Sequence, residues 1–111
     1  MSGVVLAVDT SNYTTSAALC GDGLRIIKTA SRLLPVEKGH LGLRQSEAVF
    51  HHTRALPEIL STVLCDNGLS IKAVAVSKRP RDEEGSYMPC FLAGNSVAEG
   101  IGAALHVPVY G

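Results

Sequence analysis

The stretch best equipped for chemistry is Asp9-Thr10-Ser11-Asn12-Tyr13-Thr14-Thr15-Ser16, which directly follows the apolar run Val4-Val5-Leu6-Ala7-Val8. An acid at the end of a buried strand, followed by hydroxyl and amide side chains in a tight turn, suits a phosphate or a metal–phosphate pair. The turn supplies backbone N–H donors, the hydroxyls add more, and the carboxylate holds a cation or its water. The same residues also fit an ordinary polar hairpin turn in which Asp9 and Asn12 cap backbone groups. Ser77 opens a second candidate, a charged loop running to Pro89 in which Arg79 and Arg81 flank Pro80. Two guanidinium groups on a stiffened turn can face an anion. Alternatively, Asp82, Glu83 and Glu84 neutralise the bases of a solvated loop.

His51 and His52 form the third candidate. Adjacent helical residues point about 100° apart, so the two cannot easily serve one site. Periodicity places His52 on the apolar face, where a hydrogen-bonded core histidine is the usual outcome, and His51 nearer the flank. No two histidines have HxxxH spacing, and neither Ser11 nor Ser77 lies in a Gly-x-Ser-x-Gly context. The residues themselves therefore specify neither a metal site nor a nucleophilic triad.

These residues need elements to position them. Val4–Val8 is a continuous apolar run of strand length, which predicts a central strand covered on both faces. Ala17–Cys20 follows the polar turn, and Gly21-Asp22-Gly23 signals a tight turn into a third strand over 24–32, with Ile26 and Ile27 in its middle. Pro35, Gly39 and Gly42 mark a loop. A long helix fits 44–67, where Val49, His52, Leu56, Ile59, Leu60, Val63 and Leu64 recur on one face. Gly68 stands at its C-cap, and Pro57 predicts a kink or a break. Ala73–Val76 is a further buried strand, Cys90–Leu105 a helix rich in small residues, and Val107–Tyr110 a last strand. The order β-β-β-α-β-α-β predicts an α/β fold that starts antiparallel and continues through parallel crossovers.

Composition narrows the function classes. The chain has 111 residues, 46% of them hydrophobic and 18% charged, which is enough for one domain's core and too apolar for intrinsic disorder. Ten basic and ten acidic residues leave no net charge, which argues against a dedicated nucleic-acid-binding module. Three tyrosines and two phenylalanines are too few for a base-stacking platform. Cys20, Cys65 and Cys90 are odd in number and far apart, so they read as reduced, half-buried small hydrophobes. No apolar run approaches the roughly 20 residues of a membrane span, and the expected location is the cytoplasm.

Together, Val5-Leu6-Ala7-Val8-Asp9-Thr10-Ser11-Asn12-Tyr13-Thr14-Thr15, then Leu43-Arg44-Gln45-Ser46-Glu47-Ala48-Val49-Phe50-His51-His52, then Ala75-Val76-Ser77 resemble the start of the glycoprotease-like family. Its members are also called O-sialoglycoprotein endopeptidases or tRNA adenosine threonylcarbamoyltransferases. Arg79-Pro80-Arg81 and Glu84-Gly85-Ser86-Tyr87-Met88-Pro89 look like a clostridial-type branch. The resemblance implies a ribonuclease-H-like lobe of the actin-like ATPase fold, the hsp70 and sugar-kinase class, with sheet order 3-2-1-4-5. It implies transfer of a threonylcarbamoyl group from its adenylate to a tRNA adenosine, with iron or zinc, an adenylate or ATP, and pathway partner proteins.

On this sequence, Asp9, Thr10, Ser11, Asn12 and Thr14 would form the phosphate-side turn, with Ser77, Arg79 and Arg81 nearby. His51 or His52 would match the family's first-helix histidine: spacing to Pro57 favours His51, periodicity His52. Arg79-Pro80-Arg81 replaces the family's Gly-Pro-Gly turn, and the 111 residues end at Gly111, where its HxxxH segment would begin. The expectation is therefore a single N-terminal lobe without its metal segment and second lobe, inactive alone. The alternatives are a non-catalytic partner module of the same pathway and, more weakly, a free-standing phosphate-binding domain that dimerises. Without its other lobe the chain is expected to self-associate through the second helix or a sheet edge.

Overall fold

The computed structural model describes residues 3–11, 13–35, 45–65, 70–77 and 90–111. Five strands, β1 (Gly3–Asp9), β2 (Thr14–Cys20), β3 (Ile26–Leu33), β4 (Ser70–Val76) and β5 (Val109–Tyr110), make one sheet ordered β3-β2-β1-β4-β5. The pairs β1–β2 and β2–β3 are antiparallel, whereas β1–β4 and β4–β5 are parallel. Helices α1 (Gln45–Leu64) and α2 (Cys90–Leu105) make the crossovers into β4 and β5. The element order is the one expected from the sequence, and the strand order is the one the family resemblance implies.

Both crossovers join parallel strands and step across the sheet in the same direction, so connections of one hand lay both helices on one face. Burial follows. Val4, Leu6 and Val8 of β1, Ala17 and Leu19 of β2, and Val74 and Val76 of β4 meet Ala55, Leu56, Ile59 and Val63 of α1 and Ala93 and Ala98 of α2. Val5 and Ala7 point the other way and are only half-buried. The expectation that β1 is covered on both faces is therefore corrected. Among the described residues the cover lies on one side, and the unbroken apolar run reflects a central strand whose second face is built of small side chains.

Other expectations shift for local reasons. Thr14–Ser16 are not turn but the start of β2, because Thr15 continues the inward alternation of Ala17 and Leu19. Ile26 and Ile27 open β3 rather than fill its middle, and both are exposed beside an irregularity in the β2–β3 register. Helix α1 runs unbroken through Pro57. Proline removes the N–H that would reach the carbonyl of Thr53, but both residues are exposed, so water can take that carbonyl. Gly68, the expected C-cap, lies outside the described residues.

Helix α2 has its expected bounds, and the chain leaves it through His106, whose φ is 57°. The Val107 N–H donates to the Gly102 carbonyl at 3.0 Å, the six-residue closure of a Schellman motif. That use of residues 106 and 107 shortens the last strand to Val109–Tyr110. None of the three cysteines is in a disulfide, but only Cys20 is half-buried; Cys90 is buried and Cys65 exposed. No helix among the described residues is long and apolar enough to cross a membrane.

Candidate functional site

Parallel pairing of β1 with β4 brings two strand ends together, with Asp9 closing β1 and Ser77 following β4. In open α/β sheets ligands lie beyond such carboxyl ends. The Ser77 hydroxyl donates to Asp9 Oδ1 at 2.6 Å, and the Ser11 N–H donates to the same oxygen at 2.8 Å. Burial works to raise the Asp9 pKa. Hydrogen bonds from the Ser11 side chain, the Ser77 hydroxyl and the Ser11 amide, with the nearby His52, outweigh it and hold the carboxyl below its ordinary value. Asp9 is thus an ionised group at neutral pH. A bare anion would be repelled there, while a cation, or a phosphate carried with one, fits.

Thr10 anchors this turn to α2. Its side chain is fully buried, its hydroxyl donates to the Cys90 carbonyl at 2.8 Å, and the Gly94 N–H donates to it at 3.1 Å. Cys90 and Gly94 are the two ends of one i→i+4 step, so the hydroxyl bridges the first turn of the helix and aligns it with the turn after β1. A Cβ on Gly94 would lie 2.8 Å from Thr10 Oγ1 and 3.1 Å from Cγ2, which leaves room for glycine only.

Behind the turn, Thr15 Oγ1 and His52 Nδ1 are 2.7 Å apart, and both residues are fully buried. The structure thereby separates the two histidines. His52 is a core residue that ties α1 to β2. His51 is half-buried, its ring 5.3 Å from that of Phe50, and it lines a shallow cavity with Arg32, Arg54 and Glu58. Thr14 is half-buried where β2 begins. Asn12, Arg79 and Arg81 lie outside the described residues.

Of the expected site residues, Asp9, Ser11 and Ser77 come together, Thr10 is structural, and neither histidine forms a described hydrogen bond to Asp9. The sequence reading missed Thr15 and Gly94. Thr15 was visible as the i−2 neighbour of Ala17 in an alternating strand, whereas nothing local distinguishes Gly94 from Gly100. Among the described residues no three His, Cys, Asp or Glu side chains converge to hold a metal. The iron or zinc implied by the resemblance finds no ligand set among them.

The chain is 33% identical over 109 residues to the "probable bifunctional tRNA threonylcarbamoyladenosine biosynthesis protein" of Methanoculleus marisnigri. The chain is a relative of that biosynthesis protein. The match takes in 98% of the chain but 19% of the relative's length. That relative's name is for the same tRNA modification as the family that the Asp9, His51-His52 and Ser77 segments resemble. No family model matches the chain.

Among solved structures, YeaZ from Pseudomonas aeruginosa superposes with a TM-score of 0.63 at 23% identity over 96% of the chain and 42% of its own. An uncharacterized protein with similarity to peptidase YEAZ from Pseudomonas aeruginosa gives 0.64 at 22% identity, over 97% and 42%. At this identity the likeness is one of fold: the ribonuclease-H-like lobe of the actin-like ATPases.

Proposed function

We propose that the chain is the N-terminal lobe of a cytoplasmic protein that makes threonylcarbamoyladenosine in tRNA, and that alone it transfers nothing. The observation that carries this reading is the ionised Asp9 carboxylate, held by Ser11 and Ser77 at the joined ends of β1 and β4 and aligned by Thr10 with the first turn of α2. The relative named for this modification and its greater length support it.

In this reading Asp9, Ser11 and Thr14 face the phosphate side of an adenylate or ATP across a cleft. Asp9 holds a cation or its water against the phosphate, and the Thr10 bridge keeps the turn from drifting. Ser77, at the end of β4, flanks the same opening. A C-terminal lobe of the whole protein supplies the opposite wall and the metal ligands, and tRNA and pathway partner proteins engage the whole protein. Exposed Leu92 and Leu105 on α2 are where self-association of the isolated lobe would begin. Threonylcarbamoyl transfer to tRNA, assayed with the 111-residue chain alone, is expected to give no product. Product formed without a second polypeptide would overturn the reading.

One observation favours the second reading, a non-catalytic partner module of the same pathway. His52, one of the two candidates for the first-helix histidine, is fully buried with its Nδ1 2.7 Å from Thr15 Oγ1. Purified parent protein that binds neither iron nor zinc yet stimulates transfer by a separate enzyme would establish this alternative.

A further inference from the structure

We propose that the free edge of β3 is a docking site for an extended, acidic peptide segment of a partner protein, which adds to the sheet as a further strand. Among the described residues β3 has β2 as its single neighbour. It contains no proline, and every residue from Ile26 to Leu33 is exposed or half-buried. Such an edge leaves alternate N–H and C=O groups without sheet partners, and another extended chain completes them. Large apolar side chains stand open at both ends, Ile26 at 64% exposure and Leu33 at 72%. Each end also borders an open cavity. One, of ≈ 630 Å³, is lined by Arg25, Ile26 and Ile27. The other, of ≈ 190 Å³, is lined by Arg32, Leu33 and His51.

Charge selects the occupant. Lys28 and Arg32 lie on the helix-covered side of β3, where Lys28 Nζ donates to Cys65 Sγ at 3.2 Å and Arg32 pairs with Glu58. Arg25 precedes the strand and Arg54 faces the cavity at its far end. The strand itself carries no acid, and the acids that line the two cavities, Asp22 and Glu58, are paired with Lys72 and Arg32. Carboxylates at alternate positions of a docked strand would sit opposite Lys28 and Arg32, and opposite charges directly across a sheet stabilise it. A second copy of the chain is the poorer occupant. Two-fold antiparallel pairing keeps like faces together, so Lys28 and Arg32 of one copy would meet the same cations of the other.

The test uses the 111-residue chain and capped alternating Thr-Glu and Thr-Lys peptides about ten residues long, enough to span β3 at about 3.3 Å per residue. Binding is followed by fluorescence anisotropy, and amide hydrogen exchange locates it. The expected result is saturable binding of the Thr-Glu peptide with added protection of amides in residues 26–33. Lys28→Glu, and separately Arg25→Glu, are each expected to weaken it by about fivefold or more. Equal binding of both peptides, protection elsewhere than β3, or β3 amides already protected in a dimer without peptide would each overturn the proposal. So would unchanged affinity in both variants with circular dichroism intact.

Discussion

Replacing Gly94 by alanine isolates the contact that joins the Asp9 turn to α2. In a helix interior this change ordinarily stabilises by about 0.5–1 kcal/mol, because glycine has more backbone freedom to lose on folding. Here the new methyl would lie 2.8 Å from Thr10 Oγ1 and 3.1 Å from its Cγ2. Thr10 is fully buried and cannot step aside without stretching its bonds to Cys90 and Gly94. Overpacking costs about 1–3 kcal/mol, and weakening the two hydrogen bonds about 1 kcal/mol more. The balance is a net loss of about 2 kcal/mol, a fall of about 1 M in the urea midpoint for a domain of this size. Gly100 is the internal control, since a Cβ there meets nothing within 4 Å. Gly100→Ala should therefore raise the midpoint. A cycle with Thr10→Ala completes the test, because G94A should cost much less once the Thr10 side chain is gone. If G94A is as stable as G100A, or if its cost persists unchanged in the Thr10→Ala background, the Thr10 bridge is not what holds the turn to the helix.

Three further outcomes follow from other contacts. Asp9→Asn should flatten the acid limb of the stability profile. The folded carboxyl sits below its unfolded value of about 3.9, so its contribution is complete above that value and is lost as pH falls through the lower folded one. Urea midpoints of both proteins between about pH 2 and 6 show this; parallel curves would refute it. Thr15→Val keeps the shape but deprives His52 Nδ1 of its hydroxyl partner, and should destabilise by about 1–3 kcal/mol by urea titration. His106→Gly should stabilise by about 0.5–1 kcal/mol in thermal unfolding, because the φ of 57° at the helix stop suits glycine.

How much was legible depended on whether a residue's role was set by its neighbours in the chain. The bounds of α2 were readable because the charged loop and Pro89 stop before Cys90 and the small residues run to Leu105. The inward face of α1 was equally plain, from His52, Leu56, Ile59 and Val63 at helical spacing. Of the two outcomes expected at Pro57, a break is absent, because Thr53 and Pro57 face solvent, where a lost backbone bond is replaced by water. Val4–Val8 misled because a strand flanked on its second face by small side chains reads like one buried on both.

The sequence by itself therefore determined the elements, their order and the acid-and-hydroxyl chemistry of the turn after β1. These follow from periodicity, turn residues and side-chain type, all local properties. Tertiary structure alone decided which of those groups meet. Asp9 receives Ser77 across 68 residues, Thr10 reaches Cys90 across 80, and Thr15 closes on His52 across 37. The first depends on parallel pairing of β1 with β4, and the other two on α2 and α1 packing against the same face of the sheet. That is why one histidine became core, one stayed at the surface, and a glycine indistinguishable in the sequence became the point where the turn is fastened to the helix.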